Sequence, residues 1–138
     1  MKILLDTNVI LDFFLARPSG EDAARQLFEW IYQEKIDAFI TASSITDIYY
    51  IVAKRLGGVV ARRSIKQLLQ LLRVIAVDGH DCVNALTVPI SDFEDALITV
   101  CARKESMDYI ITNDTDFLQT NEQIAAVVSP KQFFTLFA

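Results

Sequence analysis

Five aspartates stand where a carboxylate can do more than face water: Asp6, Asp47, Asp95, Asp114 and Asp116. Asp6 ends the apolar run Lys2–Leu5, and Asp114 and Asp116 follow the apolar run Tyr109–Thr112. Asp47 comes three residues after Ser44 and Asp95 four after Ser91, each near the start of a predicted helix. In open parallel sheets, ligands bind beyond the carboxyl ends of the strands. If strands and helices alternate, these acids converge on one edge of the sheet. Clustered carboxylates without His or Cys favour a hard divalent ion, Mg²⁺ or Mn²⁺, over Zn²⁺.

Asp95 makes the strongest case. It precedes Ala96-Leu97-Ile98-Thr99-Val100-Cys101-Ala102, which is apolar on nearly every face and so predicts a buried helix. A carboxylate in such a place is costly unless paired or bound to a cation. No Lys or Arg lies between Arg73 and Arg103 to pair with it. The other acids each have a local alternative. Asp6 can cap the helix after it, and Asp114 and Asp116 can bond their own backbone in a turn. Asp47 can complete a capping box opened by Ser44. Ser91-Asp92-Phe93-Glu94 has the capping-box pattern, and Glu94 is assigned to it. His80, between Gly79 and Asp81, reads as a surface turn residue, and Cys82 and Cys101 are too few for a disulfide framework or zinc cage.

The elements that must position these acids follow from spacing. Lys2–Leu5, Ala38–Thr41, Val74–Val77 and Tyr109–Thr112 read as strands, with Val127-Val128 a weak fifth. Helices are expected over Val9–Leu15, about Glu21–Glu34, Ser44 to about Leu56, Ala61–Leu72, Cys82–Leu86, Ser91 to about Lys104, and from Pro130 onward. Gly57-Gly58 reads as the C-terminal stop of the helix before it. Such alternation predicts one α/β domain with a parallel sheet covered on both faces. Phe13-Phe14, Tyr49 and Tyr50 are interface candidates, with core packing the alternative.

Composition sets the outer limits. Hydrophobic residues make up 52% and charged residues 22% of the chain, which excludes intrinsic disorder. No apolar run approaches the ~18–20 residues of a membrane span, and Asp6 comes too early for a signal peptide's apolar region. A cytoplasmic chain without a membrane partner is the expectation. The net charge of −5 hides an asymmetry, because residues 1–69 balance at +1 and residues 70–138 at −6. Between Ile48 and Val77 there is no acid, but there are Lys54, Arg55, Arg62, Arg63, Lys66 and Arg73. Such a basic surface can guide a phosphate backbone towards an acidic site, the alternative being ordinary solvated helix faces.

Four of these motifs in order resemble the PIN domain, the metal-dependent ribonuclease fold of VapC-type toxins. They are Asp6-Thr7-Asn8 after the first strand, Asp47 in the helix after the second, Asp95-Ala96 in a buried helix, and Thr112-Asn113-Asp114-Thr115-Asp116-Phe117. Ser129-Pro130-Lys131-Gln132-Phe133 is similar to the family's last helix, so the resemblance spans residues 1–138 as a single domain. It implies a three-layer α/β/α fold with a central, mostly parallel sheet of four to five strands. It also implies an endoribonuclease that hydrolyses RNA phosphodiester bonds with Mg²⁺ or Mn²⁺, in the setting of a toxin–antitoxin pair, with a cognate antitoxin and a homodimer as partners. On that basis Asp6, Asp95 and Asp114 are direct metal ligands, and Asp116 and Asp47 complete the cage or hold metal-bound waters. The Thr7 and Thr112 hydroxyls orient carboxylates, and Lys54, Arg55, Arg62 and Arg63 position phosphates.

The chain departs from the family pattern once: the second acid is usually Glu, and Asp47 is one methylene shorter. That keeps a second function open, a catalytically weak or degenerate PIN domain that binds RNA or protein. A haloacid-dehalogenase-type phosphatase also opens with strand–Asp, but it needs a second Asp where this chain has Asn8.

Overall fold

The computed structural model describes residues 1–120 and 126–137. Five strands, β1 (Lys2–Leu5), β2 (Asp37–Thr41), β3 (Arg73–Ile75), β4 (Tyr109–Ile111) and β5 (Ala126–Val128), form one sheet in the order β3-β2-β1-β4-β5. Every pairing is parallel; Leu4 sits opposite Phe39 on one side and Ile110 on the other. In the central strand β1, Ile3, Leu4 and Leu5 are apolar and fully buried because both its faces are covered. Ile3 and Leu5 point into a core shared with α1 (Thr7–Phe14), α2 (Glu21–Tyr32), α3 (Ala42–Leu56), α4 (Gly58–Leu71) and α8 (Pro130–Phe137). Leu4 points the other way, into a core with Ile98 and Cys101 of α6 (Phe93–Lys104) and Phe117 of α7 (Thr115–Leu118). Alternation along the strand thus sends one residue to each helical layer, and the three-layer α/β/α expectation holds.

The remaining helix, α5 (Gly79–Ala85), packs on α6 through Ala85 against Ala96, Leu97 and Val100. Expected helices are present, with shifted ends. Gly57 stops α3 at φ +90°, a conformation that favours glycine. Gly58 does not share that task but opens α4. His80 lies in the first turn of α5 rather than in a turn between elements, and it is exposed. Phe13 stacks on Phe28 with ring centroids 4.3 Å apart and belongs to the core, whereas Tyr50 is exposed. Among the described residues, no helix is long and apolar enough to cross a membrane.

Candidate active site

With all strands parallel, β1 and β4 end side by side, and the backbone ladder continues past them. The Asp6 N–H donates to the Ile111 carbonyl at 2.9 Å, and the Thr112 N–H to the Val128 carbonyl at 3.0 Å. Asp6 leaves β1 as the N-cap of α1 and is 5% exposed. Its Oδ1 accepts the Thr7 N–H at 2.7 Å, and its Oδ2 accepts the Thr112 hydroxyl at 2.8 Å and Asn8 Nδ2 at 3.3 Å. Thr112 Oγ1 in turn accepts the Asp114 N–H at 3.0 Å. One buried hydroxyl, that of Thr112, therefore ties the acid after β1 to the acid after β4. Burial pushes the Asp6 carboxyl above its usual range; the bonds from Thr112 and Thr7 offset part of this, while the charges of Asp114 and Asp92 add to it.

Thr7 does not do what its sequence position suggested. Its N–H, not its hydroxyl, holds Asp6, and Thr7 Oγ1 is buried without a hydrogen-bond partner among the described residues. A helix N-terminus already offers a backbone donor there, so the hydroxyl is not needed for orientation.

Asp95 lies in the first turn of α6 and is 6% exposed, followed by seven further buried residues to Ala102. Its N–H donates to Asp92 Oδ1 at 3.1 Å, so Asp92 is the N-cap; the box expected from Ser91 does not form. The Asp95 carboxylate has no hydrogen-bond or ion-pair partner among the described residues, whose three ion pairs are Arg17–Asp12, Arg25–Glu21 and Lys104–Asp81. Desolvation first, then the charges of Asp92, Asp6, Asp114 and Glu94, push its carboxyl up to about 7.

Asp95 faces a cleft of about 480 Å³ together with Asp92, Asp114, Asp116, Ser91 and Thr120. Asp114 caps α7, its Oδ1 accepting the Asp116 N–H at 2.9 Å, so the turn alternative is true in part: a short helix that spacing did not reveal begins there. Capping and lining the cleft coexist at Asp114.

Asp47 lies elsewhere in its helix than expected. Thr41, not Ser44, precedes the first turn of α3, and Ser44 is buried with its hydroxyl 2.9 Å from Thr41 Oγ1. Asp47 is therefore the sixth helical residue and cannot complete a capping box. It is exposed and does not line the cleft, but its charge reaches Glu94. Glu94 is the residue that sequence reasoning set aside: it is exposed, yet desolvation at its carboxyl, then the charges of Asp6, Asp47, Asp92 and Asp114, hold it above the usual range. Asp92 and Glu94 had a visible signal, three acids in four residues at the mouth of a buried helix with no base nearby. Lys54 and Arg55 lie in the last turn of α3, and Arg62 and Arg63 on α4; all are exposed and none borders the acidic cleft. Seven residues of helix put Lys54 about 10 Å along the axis from Asp47.

The donor set fits a hard cation: oxygen only, negatively charged, partly desolvated and without a base. Among the described residues, however, no three His, Cys, Asp or Glu side chains come close enough together to hold an ion. The site is an open acidic cleft, not the three-carboxylate cage of Asp6, Asp95 and Asp114 expected from the resemblance. Mg²⁺ commonly keeps several waters and takes one or two carboxylates directly, which such a cleft allows.

An open, all-parallel α/β sheet with carboxylates beyond its carboxyl edge defines the class of protein. A PIN domain model matches residues 2–116, and the chain belongs to the PIN domain family. It is 27% identical over 128 residues to Ribonuclease VapC1 of Aquifex aeolicus (strain VF5), covering 89% of this chain and 88% of that protein. Its fold matches that of VapC20 of Mycobacterium tuberculosis, a Sarcin-Ricin loop cleaving toxin, with a TM-score of 0.71 at 17% identity, covering 91% of this chain and 98% of that one. A DNA-bound VapBC of Salmonella typhimurium gives 0.69 at 16% identity, covering 94% and 98%.

Proposed function

We propose that this PIN domain is a metal-dependent endoribonuclease, the toxin member of a toxin–antitoxin pair. The observation that carries the reading is Asp95: a buried carboxylate with no donor and no base among the described residues, facing a cleft lined by three more acids. Stability alone gives no reason to keep such a group. The relative named a ribonuclease and the fold neighbour from Klebsiella pneumoniae solved as a toxin–antitoxin complex support the choice of substrate and partner. A homodimer is part of the same reading, by analogy with the family.

One or two of Asp95, Asp114 and Asp116 would hold the cation directly at the cleft and the remainder through water, with Asp6 behind them. Asp47 and Glu94 would reach it through water. When bound, Mg²⁺ or Mn²⁺ supplies charge neutralisation at the scissile phosphate and an activated water. The chain's own part is positional. Thr112 holds Asp6 and the Asp114 backbone in one register, so the acids from two strands cannot drift apart. Lys54, Arg55, Arg62 and Arg63 contact phosphates away from the reacting one, which fixes the RNA without reading its sequence.

The competing reading is a PIN domain that binds RNA or protein without cutting, and the absence of a closed cage among the described residues favours it. Cleavage of a structured RNA by wild type and Asp95→Asn, with Mn²⁺ and with EDTA, separates the two. The nuclease reading expects cleavage only by wild type with metal; equal cleavage by both proteins or in EDTA rejects it, and RNA binding without cleavage supports the binding module.

A further inference from the structure

Another buried acid approaches the same sheet edge and has no part in the mechanism above. Asp12 is the sixth residue of α1 and is 6% exposed. An acid in mid-helix caps nothing, and its burial is costly unless matched by partners. Burial raises its carboxyl above the usual range, opposed by two neighbours. Asn113 Nδ2 donates to Asp12 Oδ2 at 2.5 Å, and the Arg17 guanidinium stands 3.8 Å from Oδ1. Gly20 leaves the room: a Cβ there would overlap Asp12 Oδ2, although its φ of −133° suits any residue. The glycine serves the carboxylate's space, not a turn.

Asn113 is the link to the site. It is exposed, and it lies between Thr112 and Asp114, yet α1 grips it twice. Its side chain is held by Asp12, and its N–H donates to Asn8 Oδ1 at 3.0 Å. Asn8 Nδ2 lies 3.3 Å from both Asp6 Oδ2 and Thr112 Oγ1. A continuous set of hydrogen bonds thus runs from Asp12 through the loop to the acids. We propose that Asp12 is a positioning residue: through Asn113 it clamps the loop bearing Asp114 and Asp116 onto α1, so that these carboxylates stay at the cleft facing Asp95. The role in metal binding rests on the cation reading above, whereas the clamp itself does not.

Three variants attack the clamp from different sides. Asp12→Ala removes the acceptor, Asn113→Ala removes the donor at an exposed position, and Gly20→Ala displaces the carboxylate with one methyl group. Binding of Mn²⁺ alone, read from the electron paramagnetic resonance of the free ion, weakens about 10- to 100-fold in each, as for other partners that orient metal ligands. Amide hydrogen exchange at residues 113–116 speeds up, while exchange in β1 and β4 stays at the wild-type rate. Asp12→Ala and Asn113→Ala combined weaken Mn²⁺ binding no more than either alone. Asp12→Asn keeps an acceptor oxygen but loses the charge opposite Arg17, and it restores most of the Mn²⁺ affinity; a residue that serves only the Arg17 pair behaves in the opposite way. Should Asp12→Ala fail to fold, Asn113→Ala and Gly20→Ala carry the test. Wild-type exchange at 113–116 and wild-type Mn²⁺ affinity in those two overturn the proposal. If the wild-type chain itself binds no Mn²⁺, the metal reading fails, and exchange at 113–116 still decides the clamp: faster supports it, unchanged rejects it.

Discussion

Asp81 and Asp95 sit in the first turns of neighbouring helices, 3% and 6% exposed, and solvent accessibility treats them alike. Their partners do not. Asp81 Oδ2 accepts Lys104 Nζ at 2.7 Å and the Asp78 N–H at 3.1 Å, and these bonds, Lys104 first, hold its carboxyl below the usual range. Asp95 has neither kind of partner for its carboxylate among the described residues, and desolvation first, then the acids around it, push it up to about 7. Burial therefore does not distinguish a structural acid from a candidate ligand. Compensation does: Asp81 is complete within the chain, and Asp95 becomes so only with a proton or a cation.

Exchanging the charge at each acid should split the two most sharply. Asp95→Asn lowers metal-dependent RNA cleavage by more than about 100-fold, since even partners behind a ligand cost 10- to 100-fold. At pH 8 it also raises the metal-free melting temperature, because a repelled charge is removed. Asp81→Asn does the reverse. It leaves Lys104 without its anion and costs about 1.5–3 kcal/mol in denaturant unfolding, the range for a hydrogen bond to a charged group, with turnover per folded molecule unchanged. Equal effects of the two substitutions on turnover would dissolve the distinction.

The same contrast has a pH signature. The folded Asp95 carboxyl titrates near 7 against an ordinary 3.8, so between those values the folded state holds the extra proton. Stability of the metal-free protein then falls as pH rises through this window and levels off above it. Mn²⁺ competes with that proton, so its affinity rises with pH over the same range. Melting curves from pH 4 to 8, with and without Mn²⁺, should show a falling metal-free branch that flattens in Asp95→Asn. Asp81, whose carboxyl is lowered, acts in the opposite sense and at lower pH: its contribution is lost as pH falls below the ordinary carboxylate range.

Smaller effects sharpen the boundary of the acidic region. Asp47 is exposed and past the first turn of α3, so Asp47→Ala should change stability by less than about 0.5 kcal/mol, the range for surface sites. Turnover should drop, and Asp47→Glu should keep or raise it by reaching further. Full turnover in Asp47→Ala would return this residue to the solvated surface. The least effect is expected from Lys54→Glu with Arg55→Glu, which should reduce the salt slope of RNA binding by roughly 0.7 per lost phosphate contact and leave turnover at saturating RNA unchanged.

Much of this was legible from local pattern. Apolar runs ending in acids marked β1 and β4, and the apolar stretch after Asp95 announced a helix buried on nearly every side. Both depend on residues adjacent along the chain, whose spacing decides which faces leave water. The parallel order followed from alternation, and with it the edge where the acids gather. Which acid is compensated was another matter. Lys104 reaches Asp81 across 23 positions and Asn113 reaches Asp12 across 101, distances over which spacing carries no information. The helix starts were decided in the same way: Thr41 and Asp92 displaced Ser44 and Ser91 because packing sets where each chain segment turns into its helix. Sequence alone placed Asp6 after an apolar strand and Asp95 at the head of a buried helix, but it did not reveal the burial of Asp12 or Asp81. Only the tertiary structure decided which of them would meet a donor or a base, because a hydrogen bond depends on ångström-scale placement of groups that the chain brings together only when the whole sheet has assembled.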